Sequence, residues 1–274
     1  MDCPPDVKPW RFSQALQTFA LSTMVLRMSC PPLIVAHRGA SGVAPENTLA
    51  AFELAWEQGA DAIEGDFRLS ADGHIVCIHD ADTKRTAGQD LSVAGSTLCE
   101  LRKLDVGVWK GEHWRGQRIA TLSEILASLP AGKMIFVEVK TGPEIVPALI
   151  ATIQASPVQA DQVLVMAFDR NVIRHLKSQV PELPAAWLCA FCQDESGDST
   201  PGRDEVLETL AACGADGLGS SPEIPAEIVG AVRDAGFIHD VWTVDTLEIG
   251  EHFAALGSRA ITTNYPDRLA PLRD

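Results

Sequence analysis

The residues of this 274-residue chain best suited to chemistry fall in pairs on short apolar runs. "LIVAHR" ends in His37 and Arg38, and "AIEGDFRLS" carries Glu64 and Asp66. "CIHD" ends in His79 and Asp80, "MIFVEVK" carries Glu138 and Lys140, and "VWTVD" carries Trp242 beside Thr243. A spacing of two puts Glu64 with Asp66, and Glu138 with Lys140, on one face of a strand. An unpaired charge inside an otherwise apolar strand is very costly. Three converging carboxylates repel one another unless a cation lies between them, and an all-oxygen set suits Mg²⁺ or Ca²⁺ better than Zn²⁺. Arg38 and Lys140 add fixed positive charge, and with a metal they form a clamp for a phosphoryl group. Two imidazoles serve as acid and base near neutral pH. Together these residues point to metal-assisted phosphoryl transfer or phosphodiester cleavage.

Something must bring these pairs together. From residue 33 onward, eight apolar runs of strand length alternate with helix candidates: "LIVAHR", "AIEGDFRLS", "MIFVEVK", "VLVMAFD", "PAAWLCAF", "ADGLGSS", "DVWTVD" and "RAITTN". Most are rich in β-branched residues, as buried parallel strands are. The spacing predicts helices over 47–58, 121–129, 143–154, 170–179, 204–212, 225–235 and 247–256, with Asn47 as the N-cap of the first. "TLSE" at Thr121 has the form of a capping box, and Pro130 ends that helix. Eight strands with intervening helices make a (β/α)8 TIM barrel, whose active site lies at the C-terminal ends of the strands. A doubly wound sheet is the competing arrangement, but no glycine-rich phosphate-binding motif follows any strand. After the second strand, Asp72-Gly73 signals a two-residue hairpin that would set Asp66 opposite His79. Residues 80–118 then form a polar insertion without helical period, expected as a lid or small subdomain above the barrel mouth.

The formal net charge of −15 argues against a nucleic-acid partner and against docking on anionic lipid through a basic patch. Seven cysteines at irregular spacing read as reduced thiols in a cytoplasmic protein, with Cys189 and Cys192 as bystanders rather than a redox or zinc pair. No apolar run is long enough to span a membrane, so no stable membrane insertion is expected. Residues 1–30 lack the uninterrupted apolar centre of a signal peptide and read as a poorly ordered extension, with Met28 as an alternative start. The barrel domain is expected over 31–274. No oligomeric state is signalled. Of the other histidines, His74 reads as a turn residue and His175 and His252 as helix positions; His113 and His239 receive no role.

In order along the chain, "AHRGASGVAPENTLAAF", "AIEGDFRLSADGHIVCIHD", "FVEVK", "VWTVD" and "AITTNYPDRL" resemble the motifs of the glycerophosphodiester phosphodiesterase family. The resemblance covers residues 33–269 and implies a TIM-barrel enzyme needing Mg²⁺ or Ca²⁺. Such an enzyme hydrolyses a small-molecule glycerophosphodiester, for instance glycerophosphocholine, to an alcohol and sn-glycerol 3-phosphate. It implies that Glu64, Asp66 and Glu138 hold the metal and that His37 and His79 act as general base and acid. Arg38 and Lys140 would bind the phosphate, and Trp242 would border the glycerol pocket. The family mechanism it implies runs through attack by the neighbouring glycerol hydroxyl and a cyclic phosphate that water opens. Ala167 replaces the family's usual Ser, and "GSRAITTN" lacks the usual acidic residue before the last strand; both departures concern the head-group side. A lysophospholipase D-type or other phosphodiesterase, and a non-catalytic metabolite-binding relative, are the alternatives on the same fold.

Overall fold

A computed structural model describes residues 31–193 and 199–273. The expected extension over residues 1–30 lies outside the described residues. The strands, in chain order, are β1 (Leu33–Ala36), β2 (Ala62–Leu69), β3 (Ile75–Cys77), β4 (Met134–Val139), β5 (Val163–Ala167), β6 (Ala185–Cys189), β7 (Cys192–Gln193), β8 (Ser199–Thr200), β9 (Gly217–Ser220), β10 (Ile238–Val241) and β11 (Ala260–Thr263). Eight of them pair in parallel in the order β1-β2-β4-β5-β6-β9-β10-β11, and β11 pairs back onto β1, which closes the barrel. β3 lies antiparallel on β2 outside this ring, and β7 and β8 form a separate small ribbon.

Alternation along the strands sorts side chains into two cores. Outward-facing Ile34, Ile63, Ile135, Val137, Val163 and Val165 pack under the surrounding helices, while Val35, Ala62, Phe136, Leu164, Met166 and Leu188 fill the barrel. In the β2–β4 register, Glu64 lies beside Phe136 and Asp66 beside Glu138. The apolar filling of the barrel therefore gives way to carboxylates toward the C-terminal ends of the strands, where a barrel carries its site.

The helices follow the apolar periodicity closely. Thr121 caps the helix Leu122–Ser128 through a capping box with Glu124, as its sequence predicts. The first helix corrects an expectation: it runs Leu49–Glu57, and its N-cap is Thr48, whose hydroxyl accepts from the Ala51 amide. Asn47 instead has φ 59° and turns its side chain to the site.

The hairpin is also corrected. Ser70 donates its amide to His74 O, so three residues, Ala71 to Gly73, make the turn, with Gly73 at φ +81°. Phe67 opposes Cys77, and the Ile78 amide bonds Asp66 O; Asp66 thus faces Ile78 rather than His79. His79 still reaches the barrel mouth, because β3 ends at Cys77 and the chain bends there.

The segment 80–118 contains two single-turn helices, Lys84–Ala87 and Leu98–Leu101, too short to show a helical period in sequence. Val93, Leu101, Val106 and Ile119 pack with Val76 and Ile78 in a small core of their own. Lys110 Nζ donates to Ser41 O at 2.6 Å and ties this segment to the loop after β1.

Candidate active site

A pocket of about 200 Å³ opens at the C-terminal end of the barrel. His37, Arg38, Glu64, His79, Glu138 and Lys140 line its polar side, and Met166, Phe168, Leu188 and Trp242 its apolar side. Every sequence-predicted site residue except Asp66 is on this wall, and Asp66 lies directly beneath, fully buried.

The turn after β1 is shaped to serve the carboxylates. Arg38 has φ 55°, an unusual conformation for a residue with a side chain. It directs the Arg38 amide to Glu64 Oε2 at 2.8 Å and the guanidinium to Asp66 Oδ2 at 3.1 Å. Gly39 follows at φ +80°, where a Cβ would stand 2.6 Å from the Ala51 backbone, so only glycine fits this turn. Asn47 Nδ2 donates to Asp66 Oδ2 at 2.8 Å, and Asn47 Oδ1 accepts the Asp66 amide at 3.1 Å. The left-handed backbone of Asn47 makes this two-point grip possible, and asparagine tolerates it better than most residues. Asn47→Ala should cost about 1–3 kcal/mol of stability through the unpaired Asp66 groups. It should also weaken cation binding by roughly 10–100-fold. Chemical denaturation and calorimetric titration with Mg²⁺ or Ca²⁺ measure the two effects, and unchanged cation affinity would count against the role of Asn47.

Oxygen atoms of Glu64, Asp66 and Glu138 lie within 4.8 Å of one another in a buried cluster. Lys140 Nζ contacts Asp66 Oδ1 at 3.1 Å and also pairs with Glu138 Oε1. Glu64 Oε1 is buried without a hydrogen-bond donor. Burial, then Asp66 and Glu138, push the Glu64 carboxyl well above its ordinary value, and burial with Asp66 pushes Glu138 up to about 7. Burial also works against ionised Asp66, but Lys140 and Arg38 outweigh it and hold that carboxyl below its ordinary value. A buried carboxyl oxygen without a partner, crowded by two further carboxylates, fits an oxygen-ligated divalent cation.

These shifts set a sign. Folded Glu64 and Glu138 retain protons that the unfolded chain releases near 4.5, so the native state binds more protons in this window. These two carboxyls therefore contribute stability that falls as pH rises from about 4.5 through about 7. The buried His37 and His239, whose imidazoles are lowered, contribute with the opposite sign below about 6.5, so the reading is a difference. Saturating Mg²⁺ or Ca²⁺ favours the ionised carboxylates, so the gain in stability on adding metal should grow as pH rises through this window. Denaturant titrations in EDTA and in metal, at several pH values, measure it; a metal-induced gain that does not grow would contradict the assigned crowding.

The two imidazoles are held differently. His37 Nδ1 meets Asn264 Oδ1 at 2.7 Å, while Asn264 Nδ2 donates to Asp245 Oδ2 at 2.7 Å. Asp245 Oδ1 also accepts from the Asn264 backbone amide and the Thr263 hydroxyl, so both of its oxygens are acceptors. The Asn264 oxygen is thus the atom facing His37, which puts the proton on Nδ1 and leaves the lone pair on Nε2. Burial and the neighbouring Arg38 push the His37 imidazole below its ordinary value, so the ring is neutral at pH 7. His79 Nδ1 meets Asp80 Oδ1 at 2.7 Å. Although partial burial pushes Asp80 up, hydrogen bonds to Arg85 and His79 bring its carboxyl down to about 2, so it stays an anion facing His79.

The comparisons with known proteins agree with this geometry. A model of the glycerophosphoryl diester phosphodiesterase family matches residues 37–268. The chain belongs to the glycerophosphoryl diester phosphodiesterase family. It is 33% identical over 255 residues to a glycerophosphodiester phosphodiesterase of Caldanaerobacter subterraneus, an alignment covering 88% of this chain and 97% of the relative. It is 30% identical over 254 residues to a glycerophosphodiester phosphodiesterase of Bacillus subtilis, covering 86% and 84%. Among solved structures, an Oleispira antarctica phosphodiesterase in complex with the product sn-glycerol-3-phosphate superposes with a TM-score of 0.79 at 27% identity, covering 88% of this chain and 96% of that one.

Within this family member, sequence reasoning gives Asn47 the role of a helix cap rather than a partner of Asp66, and it assigns no role to Asn264 and Asp245 behind His37 or to Arg85 beside Asp80. Trp242 lies one residue past β10, with its ring edge-on to Phe168 at 5.4 Å and its Nε1 buried without an acceptor. His239 is buried between Ser220 Oγ and Ser258 Oγ, away from the pocket wall, and burial lowers its imidazole to about 4. Cys189 is buried and Cys192 exposed; neither joins a metal cluster among the described residues.

Proposed function

We propose that this chain hydrolyses glycerophosphodiesters, such as glycerophosphocholine, to an alcohol and sn-glycerol 3-phosphate, using a divalent cation and the pair His37 and His79. The observation that carries this reading is the shared pocket: two imidazoles, each fixed at Nδ1 by a side-chain oxygen, beside three carboxylates and two cations. The Oleispira antarctica structure supports the same product, since it holds sn-glycerol-3-phosphate.

Glu64, Asp66 and Glu138 would hold Mg²⁺ or Ca²⁺, which supplies positive charge for the phosphate oxygens. Arg38 and Lys140 would present their cationic ends to the same oxygens and stabilise the negative charge that builds on them in the transition state. The neutral His37 Nε2 takes the proton from the attacking glycerol 2-hydroxyl. His79, protonated at Nε2, gives a proton to the departing alcohol oxygen, and Asp80 holds the ring in place throughout. In the second half His79 takes a proton from water as water opens the cyclic phosphate. His37 returns its proton to the 2-hydroxyl oxygen, so both rings recover their starting states. Trp242 and Phe168 offer the apolar side of the pocket to the glycerol carbons. A cytoplasmic location, suggested by the irregular cysteines, belongs to the same proposal; among the described residues no helix is long and apolar enough to cross a membrane.

One observation favours a second substrate. Val43, Trp109 and Phe168, exposed by 48%, 40% and 45%, all lie on chain that follows barrel strands at the C-terminal face, an apolar rim suited to a lysophospholipid tail. The deciding experiment is release of choline and glycerol 3-phosphate from glycerophosphocholine by purified protein in Mg²⁺, in Ca²⁺ and in EDTA, with release of choline and lysophosphatidic acid from lysophosphatidylcholine in parallel. Metal-dependent release from glycerophosphocholine upholds the first reading. Turnover of lysophosphatidylcholine alone transfers the site to lipid, and no turnover of either overturns both.

A further inference from the structure

His79 and Arg38 both line the pocket, and they sit on separate pieces of chain, one after β3 and one after β1. Each is held by a carboxylate: Asp80 Oδ1 on the His79 ring at 2.7 Å, and Glu46 Oε1 on Arg38 Nη1 at 3.0 Å. One side chain grips both carboxylates. Arg85, in the single-turn helix Lys84–Ala87, donates Nε to Asp80 Oδ2 at 2.6 Å. It donates Nη1 to Glu46 Oε2 and Nη2 to Glu46 Oε1, each at 2.8 Å. The planar fork of arginine allows this: two parallel bonds to one carboxylate and a third, from the other edge, to a second.

We propose that Arg85 is a positioning residue for phosphodiester cleavage, coupling the phosphate-binding Arg38 to the proton-donating His79 through one guanidinium. The proposal rests on the function given above. A purely structural role fits poorly. The Arg85 side chain is 43% exposed, and the helix that carries it is one turn long. Exposed ion pairs of this kind contribute little to stability. What the fork does supply is a fixed distance between Glu46 and Asp80, which lie 34 positions apart in sequence and are otherwise held by different loops.

The two arms separate experimentally because only one of them carries a proton to the leaving group. Choline departs as a poor leaving group and needs that proton; p-nitrophenolate does not. Arg85→Ala should lower kcat on glycerophosphocholine by roughly 10–100-fold and raise KM, as losses of orienting partners do. On the p-nitrophenyl ester of glycerol 3-phosphate the kcat loss should shrink to a few-fold while the rise in KM persists. Asp80→Asn should reproduce the kcat loss alone and Glu46→Gln the KM rise alone. Arg85→Lys keeps the charge but not the fork, and carries the test if Arg85→Ala melts early; it should show the same leaving-group dependence in weaker form. Equal kcat losses on both esters, or no loss on either, would overturn the coupling role while wild-type turnover left the phosphodiesterase reading standing. A wild-type protein inactive on both esters in metal would remove that reading, and the proposal with it.

Discussion

His79→Ala should lower kcat for glycerophosphocholine by roughly 10²–10⁴-fold with metal saturating, the range that a positioned general acid contributes. The expectation follows from where His79 stands. Its ring lies on the pocket wall with Nδ1 committed to Asp80, which leaves Nε2 as the nitrogen able to deliver a proton to a ligand. The side chain is 34% exposed, so its removal should move stability by less than about 1 kcal/mol. Activity and thermal stability should therefore part company in this variant. A loss of less than about tenfold on this substrate would mean that the leaving alcohol gets its proton elsewhere, and the assignment of acid and base would have to change.

Glu64→Gln should move activity and stability in opposite directions. Glu64 is buried, one oxygen takes the Arg38 amide, and the other has no donor. A glutamine of the same shape keeps the acceptor for Arg38 and turns an NH₂ toward Asp66 and Glu138. In EDTA this removes a carboxylate that burial and its neighbours disfavour, and the variant should be more stable than the wild type by about 0.5–2 kcal/mol. In metal the order should reverse. The variant should gain little from Mg²⁺ or Ca²⁺, and turnover should fall by roughly 10²–10³-fold. Melting curves with and without EDTA, beside turnover, give all three readings. A Gln variant that is less stable in EDTA would show that Glu64 is not crowded in the metal-free protein.

Much of this was legible in the sequence, and the misses have physical causes. Eight apolar runs marked the barrel strands because a strand buried on both faces is apolar throughout, and the charged exceptions within them marked the site. The hairpin was misjudged by one position. Asp72-Gly73 signals a tight turn, yet both a two-residue and a three-residue turn place glycine where φ is positive, and only the pairing of Ser70 with His74 distinguishes them. Asn47 reads as a cap because asparagine favours caps and left-handed backbone alike; Thr48, next to it, takes the cap and frees Asn47 for Asp66. Asn264 and Arg85 were out of reach for another reason. Asn264 meets His37 across 227 positions and Arg85 meets Glu46 across 39, and neither spacing nor periodicity joins residues that only the folded barrel brings together.

The closure of the barrel has a bearing on how the protein is made. His37 stands at the end of the first strand, but the residue that fixes its tautomer, Asn264, follows the last, and that residue is itself held by Asp245 in the loop after β10. A ribosome-bound chain, or a fragment cut before β11, already carries all three carboxylates, both imidazoles and both cations. It lacks the side chain that orients His37. On the proposed mechanism the base is armed only by the last strand, so partly synthesised or clipped copies should stay silent and turnover should report a finished ring.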